Sequence, residues 1–356
     1  MAVKSSGSPL AFSEIEAEFG QNSDRDLGEY RVSQTVGGLS NQPLDTGIPQ
    51  SGAIKFSEFY DKRLNVVIDY HSGSTENRPT VAKTRYDASA GTGTHTVIGG
   101  FATRPTNSGG TKTRIHVNKT IGSATGNINN CAVRTGTGWN SGTVLTIEIG
   151  SSGALYGAGG DGGEAGTSDG DASGDNGGSG SSGLGVQFTG TTVINNGIIS
   201  AGYGGGGGGG YRKVEREEMF SGPVYAASGG GGGGGQGLPA GEGIDGGADG
   251  TTTAGGNGGN GGENSQAHGG GGGGGGSNGT GGTGGINNNG TNGTASAGGN
   301  GAAGTHTGSI ESEENVTGSG GSGGSNGAAI RRTSGITVNV TNNATITGSQ
   351  TATGVA

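Results

Sequence analysis

The chain has a single cysteine, Cys131, which excludes an intramolecular disulfide framework and a thiolate metal cluster. It has seven prolines, too few for the long Pro-rich G-X-Y tracts of collagen. Aromatic residues make up 4% and hydrophobic residues 27% of the 356 positions, so any apolar core is small or divided. Positive charge is not in excess. The formal net charge is -9, which argues against nucleic acid as a partner. No run is long and apolar enough to span a bilayer, and residues Met1 to Pro9 lack the apolar centre of a signal peptide. These two absences predict a product made in the cytoplasm, without membrane insertion. His71, His95, His116, His268 and His306 show no zinc-ligand spacing. No nucleophile–base–acid set, no carboxylate pair in an apolar setting and no phosphate loop is visible. The reading therefore assigns no catalytic residue, no metal and no cofactor, and predicts a protein that is not an enzyme.

What the chain has is glycine, and it is unevenly placed. Of 93 glycines, 20 lie in residues 1–150 and 73 in residues 151–356. Composition thus divides the chain into three zones: 1–65, 66–150 and 151–356.

Residues 1–65 hold short amphipathic pieces. Phe12, Ile15 and Phe19 lie at helical spacing, and Ser13 with Glu16 has the form of a capping box. Phe12-Ser13-Glu14-Ile15 recurs as Phe56-Ser57-Glu58-Phe59. Such a segment either docks its apolar face on another surface or forms a small cap on the next domain. Residues 66–150 read as β-branched strands separated by turn-rich stretches, the pattern of a small all-β sandwich or barrel. Trp139 anchors either the core of that domain or an exposed contact.

Residues 151–356 carry three pure runs, Gly204–Gly210, Gly229–Gly235 and Gly269–Gly276. Around them the spacing is a regular three. Gly-Gly separates Ala254, Asn257, Asn260 and Glu263, and likewise Ser319, Ser322 and Ser325. The polyproline II helix has three residues per turn and no internal hydrogen bonds. A G-G-x run in that form puts every x on one edge and leaves two edges of bare backbone, through which neighbouring helices can exchange hydrogen bonds. The pattern predicts a bundle of packed polyglycine II helices. Pure-glycine runs take the centre, where every edge meets a neighbour, and G-G-x runs take the outside. Gly204, Gly207, Gly210, Gly229, Gly232, Gly235, Gly269, Gly272 and Gly276 are the expected structural core. The competing reading is a disordered Gly-rich linker; the shared frame of three and the segregation of the two run types oppose it.

A second repeat frames the runs. Residues 143–155, 191–199 and 336–346 each read as a β-strand, an Asn/Ser/Gly turn and a second short strand. Gly185-Val186-Gln187-Phe188 and Ala328-Ala329-Ile330-Arg331 also match each other. These pieces are expected to form a small sheet at the base of the bundle. The fold class is mainly β: a short docking segment, a small all-β domain, then the glycine bundle.

Glycine offers no side-chain chemistry, so recognition must lie in the connecting loops. The loop 211–225 concentrates aromatic residues and charge between two pure runs. Tyr211, Arg212, Phe220 and Tyr225, with His268 beside another run, are the candidate contacts, since aromatic and Arg side chains anchor binding surfaces. If rods alternate in direction, loops 211–228, 264–268 and 287–296 share one end, and loops 236–253 and 305–318 the other.

With Val193-Ile194-Asn195-Asn196-Gly197-Ile198-Ile199 leading into Gly204–Gly210, the chain resembles the detachable tip adhesins of T-even-type phage long tail fibres. Residues 1–65, with the Phe-Ser-Glu motif, resemble a module of marine and cyanobacterial phage structural proteins. The resemblance covers residues 1–65 and 143–356. It implies a virion tail-fibre protein whose bundle loops bind a host outer-surface receptor, protein or glycan, and whose residues 1–150 contact other tail-fibre or baseplate proteins. The alternative is a structural fibre or baseplate protein that uses the bundle as a stiff spacer. The middle domain, residues 66–150, has no counterpart in that plan.

Overall fold

The structure is a computed structural model. It describes residues 3–19, 27–30, 48–49, 51–62, 65–72, 94–98, 112–136, 144–168, 171–215, 224–264, 266–277, 279–284, 288–294, 297–306 and 315–355. Trp139 lies outside them.

In the N-terminal segment, helix α1 (Phe12–Phe19) and two short turns, Leu27–Tyr30 and Phe56–Phe59, surround a small core of Val3, Ile15, Tyr30, Ile48 and Phe59. Tyr30 meets Phe12 and Phe59 with ring centroids 6.3 and 5.6 Å apart. The repeated Phe-Ser-Glu motif has a common geometry. Glu14 accepts the backbone N–H of Ala11 at 2.7 Å, and Glu58 that of Lys55 at 2.6 Å. The cap expected from Ser13 and Glu16 is therefore displaced two residues toward the N-terminus, because the helix already begins at Phe12.

Strands β1 (Asn65–Ser72) and β2 (Thr94–Ile98) pair antiparallel, and β1 lies parallel to β3 (Lys112–Val117). From β3 onward the chain winds a parallel β-helix of four coils with three faces. The first coil is β3, β4 (Thr120–Gly122) and β5 (Cys131–Arg134). The second is β6 (Val144–Ile149), β7 (Ala154–Tyr156) and β8 (Ser182–Val186). The third starts with β9 (Thr191–Asn195) and β10 (Ile198–Ser200), and closes only at β16 (Ile330–Arg332). The fourth is β17 (Val338–Asn342), β18 (Thr345–Thr347) and β19 (Ala352–Thr353).

Inward positions stack coil on coil. Ile115, Ile147, Val193 and Val340 align on one face, and Ile121, Leu155, Ile199 and Ile346 on the next. Val133, Leu184 and Ile330 align on the third. In the first three coils these residues are buried, and β6 and β9 alternate them with more exposed neighbours. Asparagine turns the corner between the first two faces. Asn195 Nδ2 donates to Asn342 Oδ1 at 2.8 Å, and Asn343 Nδ2 to Asn196 Oδ1 at 2.8 Å. Asn195 also serves the backbone where the ladder breaks: its Nδ2 donates to the Thr345 carbonyl at 3.0 Å, and its Oδ1 accepts the N–H of Gly197 at 3.2 Å.

The self-contained sandwich or barrel expected at 66–150 is not what the structure shows. Strands β3 to β6 pair in parallel with one another or with partners from residues 154–195. Period-two alternation is the same for both architectures, and part of the pairing partner set lies beyond residue 150, past the boundary that composition suggested. The segments matched in sequence, 185–188 and 328–331, do belong to the paired strands β8 and β16, but the register is three residues away from that match: Gly185 is opposite Arg331 and Leu184 opposite Ile330.

The glycine-rich sequence leaves the β-helix at one corner. Residues 157–181 are inserted between β7 and β8, and residues 201–329 between β10 and β16. They form twelve extended rods: A (157–166), B (172–181), C (202–210), D (229–237), E (239–244), F (245–251), G (254–262), H (269–276), I (279–284), J (288–294), K (297–304) and L (318–327). Hydrogen bonds between rods recur every third residue. Gly160, Gly163 and Gly166 donate to Tyr203, Gly206 and Gly209, so A and C run parallel. Gly206 and Gly209 donate to Gly233 and Gly230, so C and D run antiparallel.

The three pure-glycine rods touch one another, and each has six neighbours. In rod C, Gly205, Gly206 and Gly207 donate to rods B, D and K, while Gly206, Gly207 and Gly208 accept from rods A, H and L. Rod D is bonded in the same way to A, C, E, F, G and H, and rod H to C, D, G, I, J and K. The remaining nine rods close a ring around this triangle in the order A, B, L, K, J, I, G, F, E. Three residues per turn supply three donors and three acceptors, and each of the six meets one neighbour.

Apart from Gly246 at the turn into rod F, none of the rod glycines has a left-handed φ. Their requirement is space: a Cβ at Gly206 would lie 2.0 Å from the Gly273 carbonyl oxygen, and at Gly232 1.9 Å from that of Gly206. On the ring, side chains take over where no further rod is available to accept. Asn257 Oδ1 accepts the N–H of Thr280 at 3.0 Å, Asn260 that of Thr283 at 2.9 Å, and Asn176 that of Ser322 at 2.8 Å.

Candidate functional site

The rods alternate in direction, so the connectors fall at two ends. One end abuts the β-helix. The other carries a small β cap. Its strands are β11 (Arg212–Glu215), β12 (Val224–Ala227), β13 (Ala267–His268), β14 (Thr305–His306) and β15 (Asn315–Thr317). β11 lies between β12 and β15, antiparallel to both, and β13 pairs with β14. Val214, Ala227 and Ala267 form the apolar centre, with Tyr225 packed against it.

The connectors at 211–228 and 264–268 share this end as expected. That at 305–317 joins them instead of lying opposite. Residues 288–294, read as loop, are a rod, and one extra rod reverses everything that follows. It escaped notice because only Gly290 and Gly293 keep the frame there. As a ring rod it presents one edge to the interior, where added Cβ atoms would meet the Gly272 and Gly275 carbonyls at 2.1 and 1.9 Å.

Four of the five candidate contact residues come together in this cap. Tyr211 ends rod C, is buried, and is tied on both sides of its backbone: its N–H donates to Ala172 and its carbonyl accepts from Gly318. Arg212 is buried as well, and its Nη1 donates to the Val316 carbonyl at 3.3 Å. Burial holds its guanidinium below the usual arginine value. His268 is buried opposite Thr305 in the β13–β14 pair, and Tyr225 is half-buried opposite Val214. Phe220 lies outside the described residues. The expected core glycines all fall on rods C, D and H.

The sequence reading took all five strands of the cap, β11 to β15, as loop. The β-branched Val316, flanked by Asn315 and Thr317, was the available signal for β15. Glu215 and Val224, which flank residues 216–223, are opposite each other, and Asn315, which follows residues 307–314, is opposite Val214, so these strand ends lie together at one end of the cap sheet. Val224 is 50% exposed. The cap is thus a platform with buried anchors and a cluster of strand ends at that end. Among the described residues, no three His, Cys, Asp or Glu side chains group as metal ligands, and no helix is long and apolar enough to cross a membrane.

The family model of the phage tail fibre adhesin Gp38 matches residues 99–266, which span strands β3 to β12 and rods A to G. Among solved structures, the chain is similar to the gp37-gp38 adhesin tip complex of the bacteriophage S16 long tail fiber. The identity is 20%, over 68% of this chain and 71% of that one, with a TM-score of 0.26. No curated protein matches. The family match bears out the resemblance to tail fibre adhesins carried by residues 143–266, and it extends to residues 99–142, for which the sequence had suggested no counterpart; the chain is similar to phage tail fibre adhesins, proteins of the virion's tail fibre.

Proposed function

We propose that the chain is a non-enzymatic adhesin that binds a host outer-surface receptor through the cap at the free end of its glycine rods. The observation that carries this reading is the construction of the cap. Tyr211, Arg212 and His268 are buried in it as anchors, and the strand ends Glu215, Val224 and Asn315, to which residues 216–223 and 307–314 attach, lie together at one end of its sheet. A rigid scaffold that presents loops is the usual arrangement for recognition. In this reading Phe220, Tyr225 and the exposed Val224 meet the receptor, while Tyr211, Arg212 and His268 hold the platform. Labelled full-length protein should bind host cells saturably. Phe220→Ala should weaken binding with unchanged thermal stability, whereas Tyr211→Ala should lower both. A folded protein that shows no saturable binding would leave the rods as a structural spacer.

A second surface suits the link to the rest of the fibre. In the fourth β-helix coil, β17 is an edge strand. Val340 is 37% exposed, although Ile115, Ile147 and Val193 in the same ladder are buried. Residues 336–355 contain no Asp, Glu, Lys, Arg or His, and exposed sheet edges are normally blunted by charge or proline. The fibre partner, expected on residues 1–150, is proposed to cover this edge too. Val340→Lys should block assembly onto the fibre and spare cell binding by the isolated chain.

A further inference from the structure

We infer that the β-helix is the template that sets the register of the glycine rods. A pure-glycine run carries nothing that distinguishes one register from the next. Within the run, sliding by three residues restores an equivalent set of backbone hydrogen bonds, and only residues at its ends, such as the buried Tyr203 of rod C, mark its place. A strand in a sheet has its register fixed by a buried face; rods C, D and H have no such face. A first rod also gains nothing by itself, since the helix has no internal hydrogen bonds and ordering glycine costs the most backbone entropy of any residue.

The junctions supply what the rods lack. Rods A and C continue the parallel pair β7–β10. Tyr156 is opposite Ser200 in the sheet, and beyond it Gly157, Gly160, Gly163 and Gly166 donate in steps of three to Ser200, Tyr203, Gly206 and Gly209. Rods B and L enter the pair β8–β16, where Val186 is opposite Arg332, and Gly174, Gly177 and Gly180 donate to Ser319, Ser322 and Ser325. The four rods are neighbours, and the corner ties them across: Gly202 donates to Ser181, Ser181 to Ala158, and Gly327 to Gly202. Two buried hydroxyls complete the seam. Ser181 Oγ accepts the N–H of Ala158 at 2.7 Å, and Ser182 Oγ that of Ala328 at 3.0 Å. The apolar core of the coils, with Leu184, Ile199 and Ile330 fully buried, thereby places four rods in fixed register. Rods D to K then add onto an edge that already exists.

Native-state hydrogen exchange on the full chain in rising urea tests this. Rods D to K should lose protection before strands β7, β8, β10 and β16, or together with them. Protection in rods D to K at a urea concentration where those strands exchange freely would overturn the template. Leu184→Ala gives a second reading, because the side chain sits in the coil core and forms no rod. If the variant lowers protection of β8 and β16 more than tenfold, protection in rods H to J should fall by a similar factor. Unchanged protection in those rods would show that they specify their own register. If the variant does not fold, the urea series on the natural chain decides alone.

Discussion

A Cβ added to Gly207 would sit 2.2 Å from the carbonyl oxygen of Gly321. That oxygen belongs to the backbone of rod L, which Ser319, Ser322 and Ser325 tie to rod B, so neither side can yield cheaply. Gly207→Ala should therefore destabilise the protein by about 3 kcal/mol or more, at the upper end of overpacking costs. Gly262→Ala is the control. Its nearest atom would be Ser228 N at 3.4 Å, an ordinary contact, and loss of unfolded-state entropy should make it neutral or stabilising by roughly 0.5 kcal/mol. Urea unfolding of both variants compares the two; equal losses would contradict close packing of the central rods.

The ring side chains should act locally. Asn260 Oδ1 accepts from both the N–H and the Oγ1 of Thr283, at 2.9 and 2.8 Å. Asn260→Ala should cost about 1 kcal/mol and speed exchange of the Thr283 amide. Asn260→Asp keeps the acceptor and should cost less. An unchanged Thr283 exchange rate in the alanine variant would show that water replaces the side chain without loss.

In the β-helix, Arg331 is buried. Its Nε donates to Ser182 Oγ at 3.0 Å, and its Nη1 to Asn129 Oδ1 at 3.0 Å and to the Thr353 carbonyl at 2.5 Å. It joins the first, second and last coils. Arg331→Ala should cost roughly 2 kcal/mol or more and expose residues 350–355 to carboxypeptidase sooner than in the natural chain. Resistance to digestion at the natural level would show that β19 holds without it.

Tyr203 begins the central rod and is buried, which raises its phenol above the ordinary tyrosine value of about 10. The unfolded chain then releases this proton at lower pH than the folded one, so stability is complete below about pH 10 and falls as the pH rises further. Tyr203→Phe removes that dependence. Thermal midpoints at pH 8 and pH 11 should converge for the variant relative to the natural chain.

The glycine lattice was legible because its chemistry is written one residue at a time. The frame of three marks edges that must be bare, and pure runs mark rods that are surrounded. Rod J was hidden by the same logic: on a ring corner a single bare edge suffices, so Gly290 and Gly293 alone carry the signal. The strands were legible as repeats, as in residues 191–199 and 336–346, but the register of β8 with β16 and the assembly into one coil were not. Parallel pairing across an insertion of residues 201–329 leaves no local mark. At the cap, Tyr211 and Arg212 were singled out for their type. Their burial depends on β13, β14 and β15, which come from distant connectors and are too short to announce themselves.

Adsorption interference distinguishes a receptor-binding cap from a structural one. Host cells are incubated with purified full-length chain before phage is added, and free phage is then counted. Adsorption should fall with protein concentration, and a chain with residues 216–223 and 307–314 replaced by Gly-Ser linkers should fold but not compete. Undiminished adsorption at saturating protein, or equal competition by the linker variant, would contradict a receptor-binding role for the cap.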